Sequence, residues 1–133
     1  MPRLIILPKG QSVRQINFKG SPTTIGRQEG NSLVLDSERV SRTHAVIDWD
    51  GDHYSVIDNA STNGTFVNGK RVRRQVLRNG DMLSIGDCEI RFLYDTRPLP
   101  QEEALRLVTI PGTLADLDAL VNAARRAGAV AHL

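Results

Sequence analysis

Short runs of alternating apolar and polar residues, each closed by a turn signal, fill the chain up to Tyr94. Arg3-Leu4-Ile5-Ile6-Leu7 is rich in β-formers and stops at Pro8-Lys9-Gly10. Val13–Phe18 sets Ile16 and Phe18 against polar neighbours, and Lys19-Gly20-Ser21-Pro22 closes it. Thr23-Thr24-Ile25 runs into Gly26-Arg27, and Ser32–Leu35 follows a Gly30-Asn31 turn. Thr43–Trp49 and His53–Asp58 flank Asp50-Gly51-Asp52, which suits a hairpin turn. Thr65-Phe66-Val67 meets Asn68-Gly69, a second hairpin signal. Gln75–Leu77, Met82–Ile85 and Cys88–Tyr94 complete the series, with Gly86-Asp87 before the last. Strands this short, with turns about 8–12 residues apart, predict an all-β sandwich or barrel.

The pattern changes at Arg97-Pro98-Leu99-Pro100, a stiff linker. The expected division is therefore a β domain over 1–96 and a linker with a C-terminal amphipathic helix over 97–133. Gln101–Ile110 fits helix or strand equally. Beyond it Thr113 suits an N-cap, with Asp116 in the first turn. Leu114, Leu117, Leu120, Val121 and Ala124 share one face, and Arg125, Arg126 and Gly128 suit its end. Such a helix must pack on its own domain, on another copy or on further sequence.

The stretch from Arg39 to Gly69 concentrates the candidate chemistry. If Thr43–Trp49 and His53–Asp58 pair, the start of one strand lies beside the end of the other. The polar loops Ser41-Arg42-Thr43-His44 and Ser61-Thr62-Asn63-Gly64-Thr65 then meet at one end of the sheet. They offer hydroxyls, a guanidinium, an amide and backbone N–H groups, that of Ser41 expected among the free ones. These groups suit an anion with several oxygens and supply no reaction centre.

Composition narrows the function classes. Of 133 residues, 40% are apolar and 24% charged, as in an ordinary globular domain. The net charge is +2 and the tail from Arg97 is neutral, so the mild surplus belongs to residues 1–96. With 5% aromatic residues, nucleic acid is not the expected partner. No apolar run reaches the ~20 residues needed to span a bilayer, and no signal-peptide pattern opens the chain, so a cytoplasmic protein without a membrane partner is expected. Cys88, the single cysteine, should be a buried small hydrophobe sharing a strand face with Ile90 and Phe92. His44, His53 and His132 lack metal-ligand spacing, and Asp48–Asp52 misses the glycine and glutamate positions of a calcium loop. No phosphate-binding Gly-Lys-Ser/Thr loop and no nucleophile elbow is present, so neither cofactor nor catalysis is expected.

Gly26-Arg27, Ser41-Arg42-Thr43-His44 and Thr62-Asn63-Gly64-Thr65 ahead of Asn68-Gly69 form a constellation whose order and spacing resemble a forkhead-associated (FHA) domain. The resemblance covers roughly residues 3–95. It implies a two-sheet β-sandwich that reads phosphothreonine. It implies Arg27, Ser41 and Thr62 as phosphate contacts, Arg42 as a further cation, and Asn63 as holder of the peptide backbone. Arg39 matches a position that in some members selects the side chain three after the phosphothreonine, where arginine would favour an acid. His44 braces the loops, and Gly26, Gly64, Asn68 and Gly69 serve backbone geometry. The implied partner is a phosphothreonine-containing protein, a Ser/Thr kinase or its substrate, and the implied role is a signalling or assembly adaptor. The alternative is a phosphate-independent scaffold that uses the sandwich face and self-associates through residues 113–127.

Overall fold

The computed structural model describes residues 2–17, 22–94 and 98–110. Eleven strands and one helix follow in order: β1 (Arg3–Pro8), β2 (Arg14–Asn17), β3 (Thr23–Gly26), β4 (Leu33–Val34), β5 (Ala45–Trp49), β6 (Tyr54–Asp58), β7 (Thr65–Val67), β8 (Lys70–Val72), β9 (Arg74–Val76), β10 (Met82–Ile85), β11 (Cys88–Leu93) and α1 (Gln101–Thr109). They form a six-stranded sheet, β2-β1-β11-β10-β7-β8, and a five-stranded sheet, β4-β3-β5-β6-β9. Among the described strands every neighbouring pair is antiparallel except β3–β4, which is parallel. The expected two-sheet sandwich is therefore the fold.

Alternation along the strands builds the core between the sheets. Leu4 and Ile6 of β1, Ile25, Ile47, Val56, Leu83 and Ile85 project into it, as do Cys88, Ile90 and Phe92 from one face of β11. Cys88 is buried as expected. Burial pushes its thiol up to about 11, helped by the adjacent Asp87 carboxylate, so it stays protonated and inert.

β1 is nearly continuous in apolar residues because both of its faces are covered. Ile5, on the outer face, packs with Leu93, Val13, Ala104 and Val108. The last two belong to α1, so the stretch that fits helix or strand by sequence is helical, with tertiary packing deciding it. A nine-residue helix is unstable alone. Burying Val108 contributes about 1.5–3 kcal/mol, and charge helps at both ends. Glu102 and Glu103 occupy the first turn. Arg91, fully buried on β11, donates to the Leu107 and Ile110 carbonyls at 2.6 Å each and to Gly80 O at 2.7 Å. The preceding linker is tied too, since Gln15 exchanges two hydrogen bonds with the Leu99 backbone at 2.7 and 2.9 Å. The amphipathic helix expected over 113–127 lies outside the described residues.

One strand was not visible in the sequence pattern. Lys70–Val72 forms β8, although it carries a single apolar residue, because it lies at the sheet edge and pairs only with β7. Asn68 (φ 51°) and Gly69 (φ 82°) make the tight turn between them, as the hairpin signal predicts. Asn68 also accepts from Met82 N–H and donates to Asp81, locking that turn to the start of β10.

Candidate functional site

The β5–β6 register sets Ala45 opposite Asp58, so the loop that leads into β5 and the loop that leaves β6 emerge together. β3 brings a third loop, because Ile25 pairs with Ala45 on the other side of β5. Gly26-Arg27 thus lies beside residues 41–44. The approach is close: a Cβ at Gly26 would sit 2.1 Å from Arg42 O. Arg27 N–H donates to Ser41 O at 3.0 Å and Gln28 N–H to Arg42 O at 3.2 Å. The Asn31 side chain donates to Gln28 O at 2.6 Å and to Arg42 O at 2.9 Å, closing the first loop onto the second.

Ser41 is the node of the assembly. Its carbonyl takes Arg27 N–H, and its Oγ accepts from Thr62 N–H at 3.2 Å. Its own N–H donates to His44 Nδ1 at 3.0 Å. The expectation of a free Ser41 N–H is therefore corrected: a buried ring three residues on consumes it. His44 is completely buried, and its Nε2 lies 2.8 Å from Gly64 O. Because Nδ1 accepts, the ring proton is on Nε2 and is donated to that carbonyl. One imidazole so joins the second loop to the third. Asn63 adds a parallel tie, its side-chain amide donating to Arg39 O at 2.8 Å.

The third loop is held from below by Asp58. Its carboxylate accepts from Ser61 Oγ–H, from Ser61 N–H at 3.1 Å and from Thr65 Oγ–H at 2.6 Å. Partial burial would raise the Asp58 carboxyl, but these three hydrogen bonds outweigh it and hold it below the usual carboxylate value. The net also stabilises Ala60 at φ 50°, a conformation that costs a β-carbon about 1 kcal/mol.

After these internal bonds, a set of outward side chains remains. Arg27, Arg39, Arg42, Thr62 and Asn63 are exposed and Ser41 is half-buried. The guanidinium groups of Arg27, Arg39 and Arg42 have no ion pair among the described residues. Ser41 Oγ accepts from Thr62, so its own hydroxyl hydrogen is available. Cationic forks and hydroxyls gathered in this way can hold a tetrahedral oxyanion, although Arg39 also lies near enough to the Asp87 carboxylate to help hold it below the usual value. The structure brings Gly26, Arg27, Arg39, Ser41, Arg42, His44, Thr62, Asn63 and Gly64 to this one edge. Asn68 and Gly69 stand apart, at the β7–β8 turn.

A family model described as the FHA domain matches residues 23–86, which spans all three loops. A solved structure concerned with phosphothreonine-dependent FHA-domain interactions is 32% identical, with a TM-score of 0.62, over 73% of this chain and 99% of that one. The chain belongs to the FHA family. EmbR of Mycobacterium tuberculosis, solved with a low-affinity phosphopeptide, is 35% identical with a TM-score of 0.67, over 74% of this chain and 26% of that one. The glycogen accumulation regulator GarA of Mycolicibacterium smegmatis is 36% identical over 68% of this chain and 58% of that protein. The chain thus spans just over half the length of this curated relative.

Within this FHA domain, sequence reasoning missed the residues that shape the loops from inside. Asn31, Asp58 and Ser61 turn their side chains inward and fix the loops that carry the outward ones. The Asp58–Ser61 spacing was a usable signal, since an Asp three residues before a Ser commonly caps a turn. Asn31 gave none, because its partner Arg42 is eleven residues away. Among the described residues no helix is long and apolar enough to cross a membrane.

Proposed function

We propose that this chain is a non-catalytic phosphopeptide-binding module that recognises phosphothreonine in an extended segment of a partner protein. One observation carries the reading: three guanidinium groups without ion-pair partners and a free hydroxyl donor share an edge whose three loops are closed on one another by their own hydrogen bonds. FHA membership and the phosphopeptide-bound EmbR structure support it. A phosphate at neutral pH carries about −1.5 to −2 charge and three acceptor oxygens, which Arg27, Ser41, Arg42 and Thr62 match. Asn63 keeps a carbonyl oxygen free for a peptide N–H. Arg39 selects an acidic side chain beyond the phosphothreonine.

Residues 1–96 form the binding unit and the remainder an appendage. The partner is a Ser/Thr kinase or one of its substrates, met in the cytoplasm. Each charge-assisted hydrogen bond contributes about 1.5–3 kcal/mol before the ordering cost of the peptide, consistent with a Kd of order 1 μM.

The test is titration of the full chain with a phosphothreonine peptide library, with phosphoserine and unphosphorylated controls. Phosphothreonine peptides should bind selectively, and Arg27→Ala should weaken them by roughly 2–5 kcal/mol with the fold intact. Equal binding of phosphorylated and unphosphorylated peptides, or unchanged affinity in Arg27→Ala, refutes the function and favours a phosphate-independent scaffold.

A further inference from the structure

The positive charge of the chain is concentrated in one place outside the three loops. Lys70, Arg71, Arg73, Arg74 and Arg78 are all exposed, and no acidic residue interrupts positions 70–80. The run lies on two sheet edges, since β8 ends the first sheet and β9 ends the second, with Arg73 crossing between them. Arg71 does not simply point to solvent. Its guanidinium lies over the backbone of Gly64, where an added Cβ would meet Arg71 Nε at 2.8 Å and Cζ at 3.0 Å. Gly64 is the residue whose carbonyl receives the His44 proton, directly after Thr62-Asn63. Arg71 and Arg73 form one wall of a surface hollow of about 490 Å³, and Asp58, Ala60 and Ser61 of the third loop form the other. Neither guanidinium has a hydrogen-bond or ion-pair partner among the described residues, and the Asp58 carboxylate opposite is engaged by Ser61 and Thr65.

We propose that Arg71 and Arg73 form a second anion subsite, continuous with the phosphothreonine site, that reads an anionic side chain flanking the phosphothreonine in the same partner segment. The inference rests on the proposed function and extends it to partner choice. The recognised group is a carboxylate or a second phosphate, because both present oxygens to a planar fork. Two exposed guanidinium groups without partners of their own raise affinity and on-rate for such a segment and discriminate against basic ones. A nucleic acid fits less well, since residues 70–78 contain no aromatic side chain on which bases could stack. Charge also keeps sheet edges from pairing with other chains. That role is met by charge anywhere on the edge and does not require Arg71 to lie on Gly64.

The test uses the full chain and four peptides sharing one phosphothreonine core: neutral flanks, two glutamates before, two glutamates directly after, and a neighbouring second phosphothreonine, with the third position after the phosphothreonine, assigned to Arg39, kept neutral in all four. Affinities are measured by fluorescence anisotropy for wild type, R71Q/R73Q and R39Q. Wild type should bind at least one anionic-flanked peptide about tenfold more tightly than the neutral one at low salt, the ratio shrinking as salt rises. R71Q/R73Q should reduce that ratio to about one and leave the neutral peptide within about twofold, while R39Q, which meets a neutral third position in every peptide, should keep the ratio whatever it does to the absolute affinities. The glutamate and second-phosphate peptides tell which anion is read.

A flank preference that survives in R71Q/R73Q, or an equal loss for all four peptides, overturns the subsite. Binding of a single-stranded oligonucleotide that depends on Arg71 and Arg73, without any flank preference, overturns it in favour of nucleic acid. Wild type that reads phosphothreonine but not its flanks refutes the subsite alone. Wild type that ignores phosphothreonine refutes the proposed function as well.

Discussion

Gly26→Ala adds one methyl group where β3 meets the second loop. Its φ is not in the left-handed region, so the substitution tests steric closeness and not backbone freedom. The new Cβ would lie 2.1 Å from Arg42 O, and 2.8 Å from both Arg42 C and Asn31 Nδ2. An ordinary carbon–oxygen contact needs upwards of about 3 Å, so strand and loop must part by about 1 Å. Both neighbours are fixed. Arg42 O already takes Gln28 N–H and the Asn31 amide, and Gly26 O takes Leu35 N–H at 2.9 Å. Parting therefore lengthens Arg27 N–H···Ser41 O and Gln28 N–H···Arg42 O beyond useful range. Overpacking costs about 1–3 kcal/mol and the two hydrogen bonds about 0.5–1.5 kcal/mol each, so a loss of about 2–6 kcal/mol is expected. Urea unfolding measures it, with Gly51→Ala as control. Gly51 has φ +99° and open space around it, so only the strained backbone is charged there, about 1 kcal/mol. Gly26→Ala should also weaken phosphopeptide binding, because Arg27 moves away from Ser41. A Gly26→Ala protein within about 0.5 kcal/mol of wild type, or less destabilised than Gly51→Ala, would refute the close-approach argument.

Two further outcomes follow from particular bonds. The Asp58 carboxyl has a lower value folded than unfolded, so the unfolded chain binds more protons in acid. Its contribution is present above about pH 4 and is lost as pH falls through the lower folded value. Asp58→Asn should be less stable at neutral pH and should lose less stability on acidification below about pH 4; parallel unfolding profiles for the two proteins would contradict this. Arg91→Leu leaves the Leu107, Ile110 and Gly80 carbonyls without their donor, so α1 should undock at a cost of about 3 kcal/mol or more. Amide hydrogen exchange over 104–109 should accelerate, and unchanged protection there would show that Arg91 does not hold the helix.

The parts of the fold that could be read from sequence are those set by local alternation. The β5–β6 hairpin follows from its pattern, and antiparallel pairing then forces its flanking loops together. What could not be read depends on partners distant in the chain. Lys70–Val72 looks polar because an edge strand needs only one neighbour. Gln101–Thr109 becomes helical because Ala104 and Val108 find Ile5 and because Arg91, an arginine inside an apolar strand, donates to the carbonyls at its end. The Ser41 N–H was misread for another reason. Its acceptor is only three residues away, but a histidine ring accepts there only in one tautomer, and the Gly64 carbonyl that selects it comes from another loop.

That last dependence explains how the site can be both rigid and open. Fixing a loop residue costs about 1–2 kcal/mol of conformational entropy, and a loop ordered only on binding would subtract that cost from affinity. Here the cost is met on folding, because His44, Asn31, Asp58 and the Ser41 backbone close the loops on one another. Their inward bonds turn the Arg27, Arg42 and Thr62 side chains outward without competing for them. The two groups of residues should therefore separate energetically. Changes in the inward group reduce stability and reach the ligand only through displaced loops. Changes in the outward group reduce binding and leave the unfolding free energy nearly untouched. Ser41 and Asn63 belong to both: Ser41 Oγ ties Thr62 while its hydroxyl hydrogen remains free, and the Asn63 amide ties Arg39 O while its carbonyl oxygen remains free. Substituting either should therefore couple a loss of stability to a loss of binding, which substitutions at Arg27, Arg42 or Thr62 should not.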